Sequence, residues 1–122
     1  MTTTVGMLVH ADVAARTPIA QRLRASGIQV IEAGSATEAF GLALFGRLHF
    51  VIALLHSVDG LELCRRLRST LATSALPVVL VKADLSVDDD ELHAAGATVV
   101  LREHWTSDDL LEAVRRAVAS AG

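Results

Sequence analysis

The chain has 122 residues, of which 52% are apolar and 20% charged, and a net charge of −3. This length fits one domain with one hydrophobic core, spanning residues 1–122. The charge excludes the strongly basic field of a nucleic-acid-binding domain, and no apolar run is long enough to cross a membrane. The single cysteine, Cys64, excludes an internal disulfide. Since no signal peptide is visible, we expect a cytoplasmic protein that binds neither nucleic acid nor membranes.

The first predicted element is a buried strand at Val5–Val9, which runs into a polar turn. Thr17 and Pro18 predict a helix start, because Thr can cap a helix and Pro suits its first position. The start could also lie a turn earlier, near Val13. Gly27 is typical of the residue that ends a helix.

A second strand is predicted at Ile28–Ala33, and Ser35 to Glu38 has the spacing of a capping box before a second helix. Phe50–Leu55 follows as an uninterrupted apolar run, which is typical of a strand covered on both faces. We therefore expect Phe50–Leu55 to be the central strand of the sheet.

The third helix is predicted after Asp59-Gly60. Its apolar residues recur at helical spacing, namely Leu61, Cys64, Leu67 and Leu71. In that stripe Cys64 is interpreted as a small buried hydrophobe. Pro77 then introduces a fourth strand at Val78–Val81.

Capping boxes at Ser86 to Asp89 and at Thr106 to Asp109 start the last two helices. Gly96 ends the first of these, and a fifth strand is predicted at Thr98–Leu101. Five apolar strands alternating with five helices predict an α/β fold, a parallel sheet with helices on both faces. The ligand site of such a sheet lies beyond the carboxyl ends of its strands, at the switch point between the first and third strands.

Several landmarks in this chain resemble the receiver domain of two-component response regulators, the CheY-like fold. Besides Gly27, the matching segments are Asp59 to Leu63, Leu76 to Leu80 and Ala94 to Ala97. They look like the turn into the third helix, the fourth strand and the turn before the fifth strand. The resemblance covers essentially the whole chain. It implies a flavodoxin-like, doubly wound sheet of five parallel strands in the order 2-1-3-4-5.

The resemblance also identifies the positions of a phosphorylation site. In the family, an acidic pair after strand one and an Asp ending strand three hold magnesium, and that Asp accepts a phosphoryl group. Here the acidic pair falls on His10 and Ala11, or on Asp12 after a shift of one residue, and the phosphoacceptor falls on Leu54. Because Leu has no nucleophile, the resemblance implies a degenerate pseudo-receiver that is not phosphorylated on aspartate.

The rest of the former pocket departs from the family as well. Lys82 replaces a hydroxyl residue, Glu103 a lysine, His104 a proline and Val100 the usual aromatic switch residue. Lys82 and Glu103 carry opposite charges at neighbouring strand ends, which predicts a salt bridge across the pocket. The loop from Leu54 to Gly60, which contains His56, is shorter than the family's, so we expect a reshaped rim.

The first functional hypothesis is a phosphorylation-independent signalling module that binds a protein partner or a second copy of itself. In the family, the face of helix 4, strand 5 and helix 5 commonly makes such contacts. Its candidate residues here are Leu92, His93, Val100, Trp105, Leu111 and Arg115. Trp105 is an interface anchor by residue type, or else a cover for the edge of the core.

Three alternatives stay open. A metal or small-ligand site could use residues that map to strand ends, namely His10, Asp12, His56, Glu103 and His104; imidazole and carboxylate suit zinc or nickel. Their spacing is not diagnostic, so we assign no metal and no cofactor. An enzyme with a histidine base ranks lower, because no nucleophile elbow, phosphate loop or carboxylate pair accompanies it. The chain could also be a fragment of a larger regulator.

Overall fold

The five predicted strands form one parallel sheet in the order β2-β1-β3-β4-β5, in a computed structural model that describes residues 3–82, 84–102 and 105–121. The strands are β1 Val5–Val9, β2 Gln29–Ala33, β3 Phe50–Leu55, β4 Val78–Lys82 and β5 Val99–Leu101. The helices are α1 Val13–Ala25, α2 Ala36–Phe45, α3 Ser57–Ser69, α4 Asp89–Ala95 and α5 Ser107–Ala121, with a 3-10 turn at Leu71–Thr73. The predicted doubly wound α/β fold and its strand order are confirmed.

Successive apolar side chains of β3 lie on opposite faces of the sheet, so this strand contributes to the core on both faces. Val51, Ala53 and Leu55 belong to the cluster beneath α2, α3 and α4. Phe50 and Ile52 belong to the cluster that α1 and α5 cover. Since β3 pairs with β1 on one side and β4 on the other, its prediction as the central strand is confirmed.

The helix starts follow local capping chemistry. The capping box at Ser35 is confirmed, because the Glu38 N–H donates to Ser35 Oγ at 3.1 Å. The box at Thr106 is also confirmed, since the Thr106 N–H donates to Asp109 Oδ2 and the Asp109 N–H donates back to Thr106 Oγ1. Short polar side chains therefore fix these two starts as the sequence predicts.

The starts of α1 and α4 do not lie at the capping residues first predicted for them, although the alternative start of α1 near Val13 is confirmed. α1 begins near Val13, the alternative start, because Asp12 Oδ1 accepts the N–H of Ala14 at 2.9 Å. Pro18 consequently lies inside α1. α4 is capped by Asp88, which accepts the Glu91 N–H at 2.9 Å, and not by Ser86.

The end of the third helix also differs from its prediction. Leu71 lies in the 3-10 turn that follows α3 and is 93% exposed, so it does not belong to the buried stripe. Cys64 is fully buried in α3, as predicted, and burial raises the pKa of its thiol to about 11. Among the described helices, none is long and apolar enough to span a bilayer.

Candidate functional site

A pocket of about 370 Å³ opens at the carboxyl edge of the sheet. We call it the strand-end pocket. Its lining residues are His10, Ala11, Leu54, Leu55, His56, Asp59, Val81, Lys82 and Trp105. Except for Asp59 in α3 and Trp105 after β5, they follow or end β1, β3 and β4, so the pocket lies where the switch point between β1 and β3 predicts a ligand site.

Leu54 forms part of an apolar floor in this pocket. It pairs in register with Val81 on β4, and both residues pack on the α1 and α5 side of the sheet together with Trp105. Phe50 to Ala53 are at most 1% exposed, whereas Leu54 is partly exposed. The end of β3 therefore presents hydrocarbon to the pocket.

The residues after β1 do not supply a magnesium site. The Asp12 carboxylate caps α1 through Oδ1, and the His10 ring accepts the Asp12 N–H at Nδ1, 3.1 Å away. Ala11 and Leu54 carry no side-chain oxygen. Since magnesium prefers several oxygen ligands in octahedral geometry, this donor set does not fit it.

The zinc or nickel alternative also lacks a ligand set in the described part of the chain. Across residues 3–82, 84–102 and 105–121, no three His, Cys, Asp or Glu side chains are grouped so that they could hold a metal ion. His10, Asp12 and His56 therefore do not form such a group. Glu103 and His104 lie outside the described residues.

Lys82 is buried beside the pocket and is paired with an acid that the sequence reading did not select. Its Nζ donates to Asp89 Oδ1 at 3.0 Å, and its side chain is 5% exposed. Arg102 donates from Nε and from the guanidinium terminus to Asp89 Oδ2, at 3.0 and 2.8 Å. The sequence predicts a salt bridge between Lys82 and Glu103, but Glu103 lies outside the described residues. The partner observed for Lys82 is Asp89.

These contacts set the electrostatics of Asp89. The hydrogen bond from Lys82 and then that from Arg102 hold the pKa of Asp89 below its ordinary value. The carboxylate is therefore charged and shared between two cations. It joins the end of β4 and the residue after β5 to the first turn of α4.

Asp84, in the loop after β4, holds the wall of the pocket that His56 and the start of α3 form. Its Oδ2 accepts the Ser57 N–H at 3.0 Å and lies 3.1 Å from His56 Nδ1. His56, the N-cap residue of α3, makes no side-chain capping bond of its own, so Asp84 supplies the cap from another loop. Hydrogen bonds from Ser86 first, and then from Ser57, hold the pKa of Asp84 below its ordinary value.

A single residue, His56, separates β3 from α3 at the rim of the pocket. The prediction that α3 begins after Asp59-Gly60 is wrong. Both residues lie in its first turn, where Asp59 lines the pocket. A Cβ on Gly60 would lie 2.7 Å from Leu80 Cδ1, so a glycine lets α3 pack closely on β4.

The structure brings together five of the residues that the sequence selected for the former pocket, namely His10, Ala11, Leu54, His56 and Lys82. Asp12 caps a helix instead. Sequence reasoning missed Asp59, Val81 and the pocket-lining role of Trp105. The apolar run that ends at Val81 could have indicated the apolar floor of the pocket. No local pattern indicated Asp59, because the predicted start of α3 lies after this residue.

Two shallow grooves flank the exposed edge at β5. The groove towards α5 is lined by Leu101, Arg102, Trp105, Asp109, Glu112, Ala113 and Arg116, and the other by His93, Thr98, Val99, Val100, Arg116 and Ser120. His93, Val100 and Trp105 of the predicted interface thus line these grooves. Leu111 and Arg115 line neither groove, and Leu92 is fully buried, so its side chain is not accessible to a partner.

Comparison with solved structures identifies the fold. The chemotaxis response regulator CheY4 of Vibrio cholerae is 22% identical, with a TM-score of 0.83 over 95% of this chain and 99% of that one. The receiver domain of a sensor histidine kinase from Pseudomonas aeruginosa, solved with magnesium in its active site cleft, is 21% identical, with a TM-score of 0.82 over 97% and 99%. A CheY-like receiver domain protein from Methanospirillum hungatei is 19% identical, with a TM-score of 0.85 over 98% and 97%.

No protein-family model and no curated protein matches the sequence. At identities near 20%, structural likeness establishes architecture and not chemistry. The strand order, the five helices and the coverage of nearly the whole of both chains agree. The chain therefore has the CheY-like, flavodoxin-like fold of response regulator receiver domains.

Proposed function

We propose that this chain is a cytoplasmic, non-catalytic signalling module that works without aspartyl phosphorylation. The observation that carries the proposal is Leu54, an apolar residue at the end of β3 on the floor of the strand-end pocket. A phosphoryl group needs a nucleophile to accept it and a cation to balance its charge. Leu54 provides no nucleophile, and the residues after β1 do not fit magnesium.

Incubation with magnesium and acetyl phosphate is expected to leave the mass of the intact protein unchanged. A receiver domain that retains its aspartate, treated in parallel, should gain one phosphoryl group and shows that the reagent is active. An adduct on this chain that is lost in mild base or hydroxylamine would be an acyl phosphate and would contradict the proposal. Mapping it to Asp59 would identify the pocket carboxylate as a substitute acceptor.

We further propose that the partner is a protein, or a second copy of this chain, bound at the face of α4, β5 and α5. Each groove beside β5 combines apolar and charged side chains: Leu101 and Trp105 lie beside Arg102 and Glu112 in one, and Val99 and Val100 lie beside Arg116 in the other. β5 is a short strand at the edge of the sheet formed by the described strands. Apolar surface with charged residues of both signs around it is typical of transient protein interfaces.

A photo-reactive residue at position 112 tests this face. Glu112 is exposed and lines the groove towards α5, so its replacement is expected to give a crosslinked species with the partner. The same residue introduced at Leu71, which is 93% exposed, is the matched control and should give none. The mass of the adduct distinguishes a second copy from another protein. Equal crosslinking from both positions would contradict the assignment to this face.

A further inference from the structure

The strand-end pocket has an apolar floor, and exposed apolar residues lie next in sequence to residues that form or hold its wall. Leu54, Val81 and Trp105 line it, and two large aliphatic side chains are exposed at the same edge of the sheet, Val58 at 59% and Leu85 at 81%. Val58 adjoins the lining residue Asp59, and Leu85 follows Asp84, which is bonded to His56 and Ser57. Exposed apolar residues beside an apolar pocket favour a polypeptide over a small ligand, which would cover the pocket alone.

The charges at this edge favour a positively charged neighbour. Its described acids, besides Asp89, are Asp12, Asp59, Asp84, Asp88, Asp90 and Glu91. The described bases that accompany them are Lys82 and Arg102, both bonded to Asp89, and Arg16, which is bonded to Glu32 and donates to the His10 carbonyl. Asp59 is exposed on the pocket wall, and no hydrogen bond joins its carboxylate to another described residue. The pocket thus combines an apolar floor with one exposed carboxylate, Asp59, which lines it beside His10, His56 and the paired Lys82, at an edge of the sheet where acids outnumber bases.

We propose that the strand-end pocket binds one large apolar side chain of a partner protein that is followed in sequence by Lys or Arg. The apolar side chain occupies the floor formed by Leu54, Val81 and Trp105. The basic residue lies against Asp59. This inference rests on the proposed function, because only a pocket that has lost its phosphorylation site has this floor available.

Three acetylated, amidated dipeptides serve as probes: Phe-Lys, Phe-Glu and Ala-Lys. Trp105 is the only tryptophan of the chain and lines the pocket, so its fluorescence reports binding, and amide NMR locates the contact. Phe-Lys is expected to bind at about millimolar dissociation constant, as ligands of this size do. Phe-Glu and Ala-Lys should each bind about fivefold or more weakly, because one lacks the charge match and the other the apolar group.

Two substitutions separate the apolar contribution from the charge contribution. Asp59→Asn should abolish the preference for Phe-Lys over Phe-Glu and leave the signal from the Phe side chain in place. Leu54→Asn should weaken both Phe peptides by about tenfold, since it places a polar group in the floor. Leu71→Asn, at an exposed position outside the pocket, is the control and should change neither. Thermal melts report folding, and the exposed Asp59 keeps the test valid if the Leu54 variant unfolds.

Several results would overturn the proposal. They are the absence of saturable shifts at Leu54, Leu55 and Trp105, equal binding of Phe-Lys and Phe-Glu, and binding that Asp59→Asn leaves unchanged. If the amide NMR signals of the pocket shift as the protein concentration rises in the absence of peptide, the pocket binds a second copy of this chain, and the proposal of a separate partner protein is wrong. The acetyl phosphate experiment is independent: no adduct together with no peptide binding would reject the pocket ligand and leave the proposed function standing.

Discussion

Replacing Gly6 by Ala is expected to destabilise the protein by about 1–3 kcal/mol, the usual cost of overpacking a core. Gly6 on β1 pairs in register with Phe50 on β3, and a Cβ added to Gly6 would overlap the Phe50 ring. Phe50 is fully buried among the residues that α1 and α5 cover, so its ring has little room to move. Urea denaturation followed by circular dichroism measures the change in the free energy of unfolding.

A matched glycine substitution provides the control. Gly41 lies inside α2, and a Cβ there would meet no atom within 4 Å. Gly41→Ala should therefore stabilise the protein, by about 0.5–1 kcal/mol, through helix propensity. In the double variant Gly6→Ala with Phe50→Leu, the smaller side chain relieves the overlap, so the two costs should not add. Fully additive costs would contradict the assigned contact.

Removing the acid of the Lys82 and Asp89 pair is expected to be costly, whereas removing the base is not. Asp89→Ala should destabilise the protein by about 1–3 kcal/mol, because it leaves the buried Lys82 ammonium without its observed partner. Lys82→Met should change stability by less than about 1 kcal/mol, since an apolar side chain of similar size needs no partner. The double variant should recover most of the loss. Losses of equal size for the two single variants would contradict this account.

The pH dependence of the same variant gives an independent check. The pKa of Asp89 is lowered in the folded state, so the folded protein binds fewer protons than the unfolded chain. The stability due to this carboxylate is thus present above the ordinary aspartate pKa and is lost as the pH falls through the lowered folded-state value. The difference in unfolding free energy between wild type and Asp89→Ala should narrow below about pH 4. A constant difference down to acid pH would contradict the charge pairing.

The parts of the fold that sequence could predict are those fixed by local chemistry. The central strand Phe50–Leu55 follows from its uninterrupted apolar run, and the starts of α2 and α5 follow from Ser35 and Thr106 with an acid three residues later. The start of α3 escaped prediction because its cap, Asp84, is 27 residues away from Ser57. The residues in the first turn of that helix form no pattern that predicts a capping contact with so distant a residue.

The position of the candidate site in the fold could be predicted from the sequence, but the contacts between its residues could not. Parallel strands bring their carboxyl ends to one edge, so His10, Leu54, His56 and Lys82 could be grouped from topology alone. The partner of Lys82 could not be predicted from topology. Several acids follow Lys82 closely in the sequence, and which of them reaches it depends on the path of the loop. Burial of Leu92 was missed for a similar reason. α4 has only seven residues, too few for periodicity to separate its faces.

The single-residue connection at His56 has a consequence for how the strand-end pocket receives a ligand. One residue separates β3 from α3, and Asp84 is bonded to Ser57, so the start of α3 is held both by the end of β3 and by the loop after β4. For a ligand of the kind proposed above, a wall fixed in this way would lower the backbone entropy lost on association. Preorganisation of this kind lets a small contact area suffice for recognition.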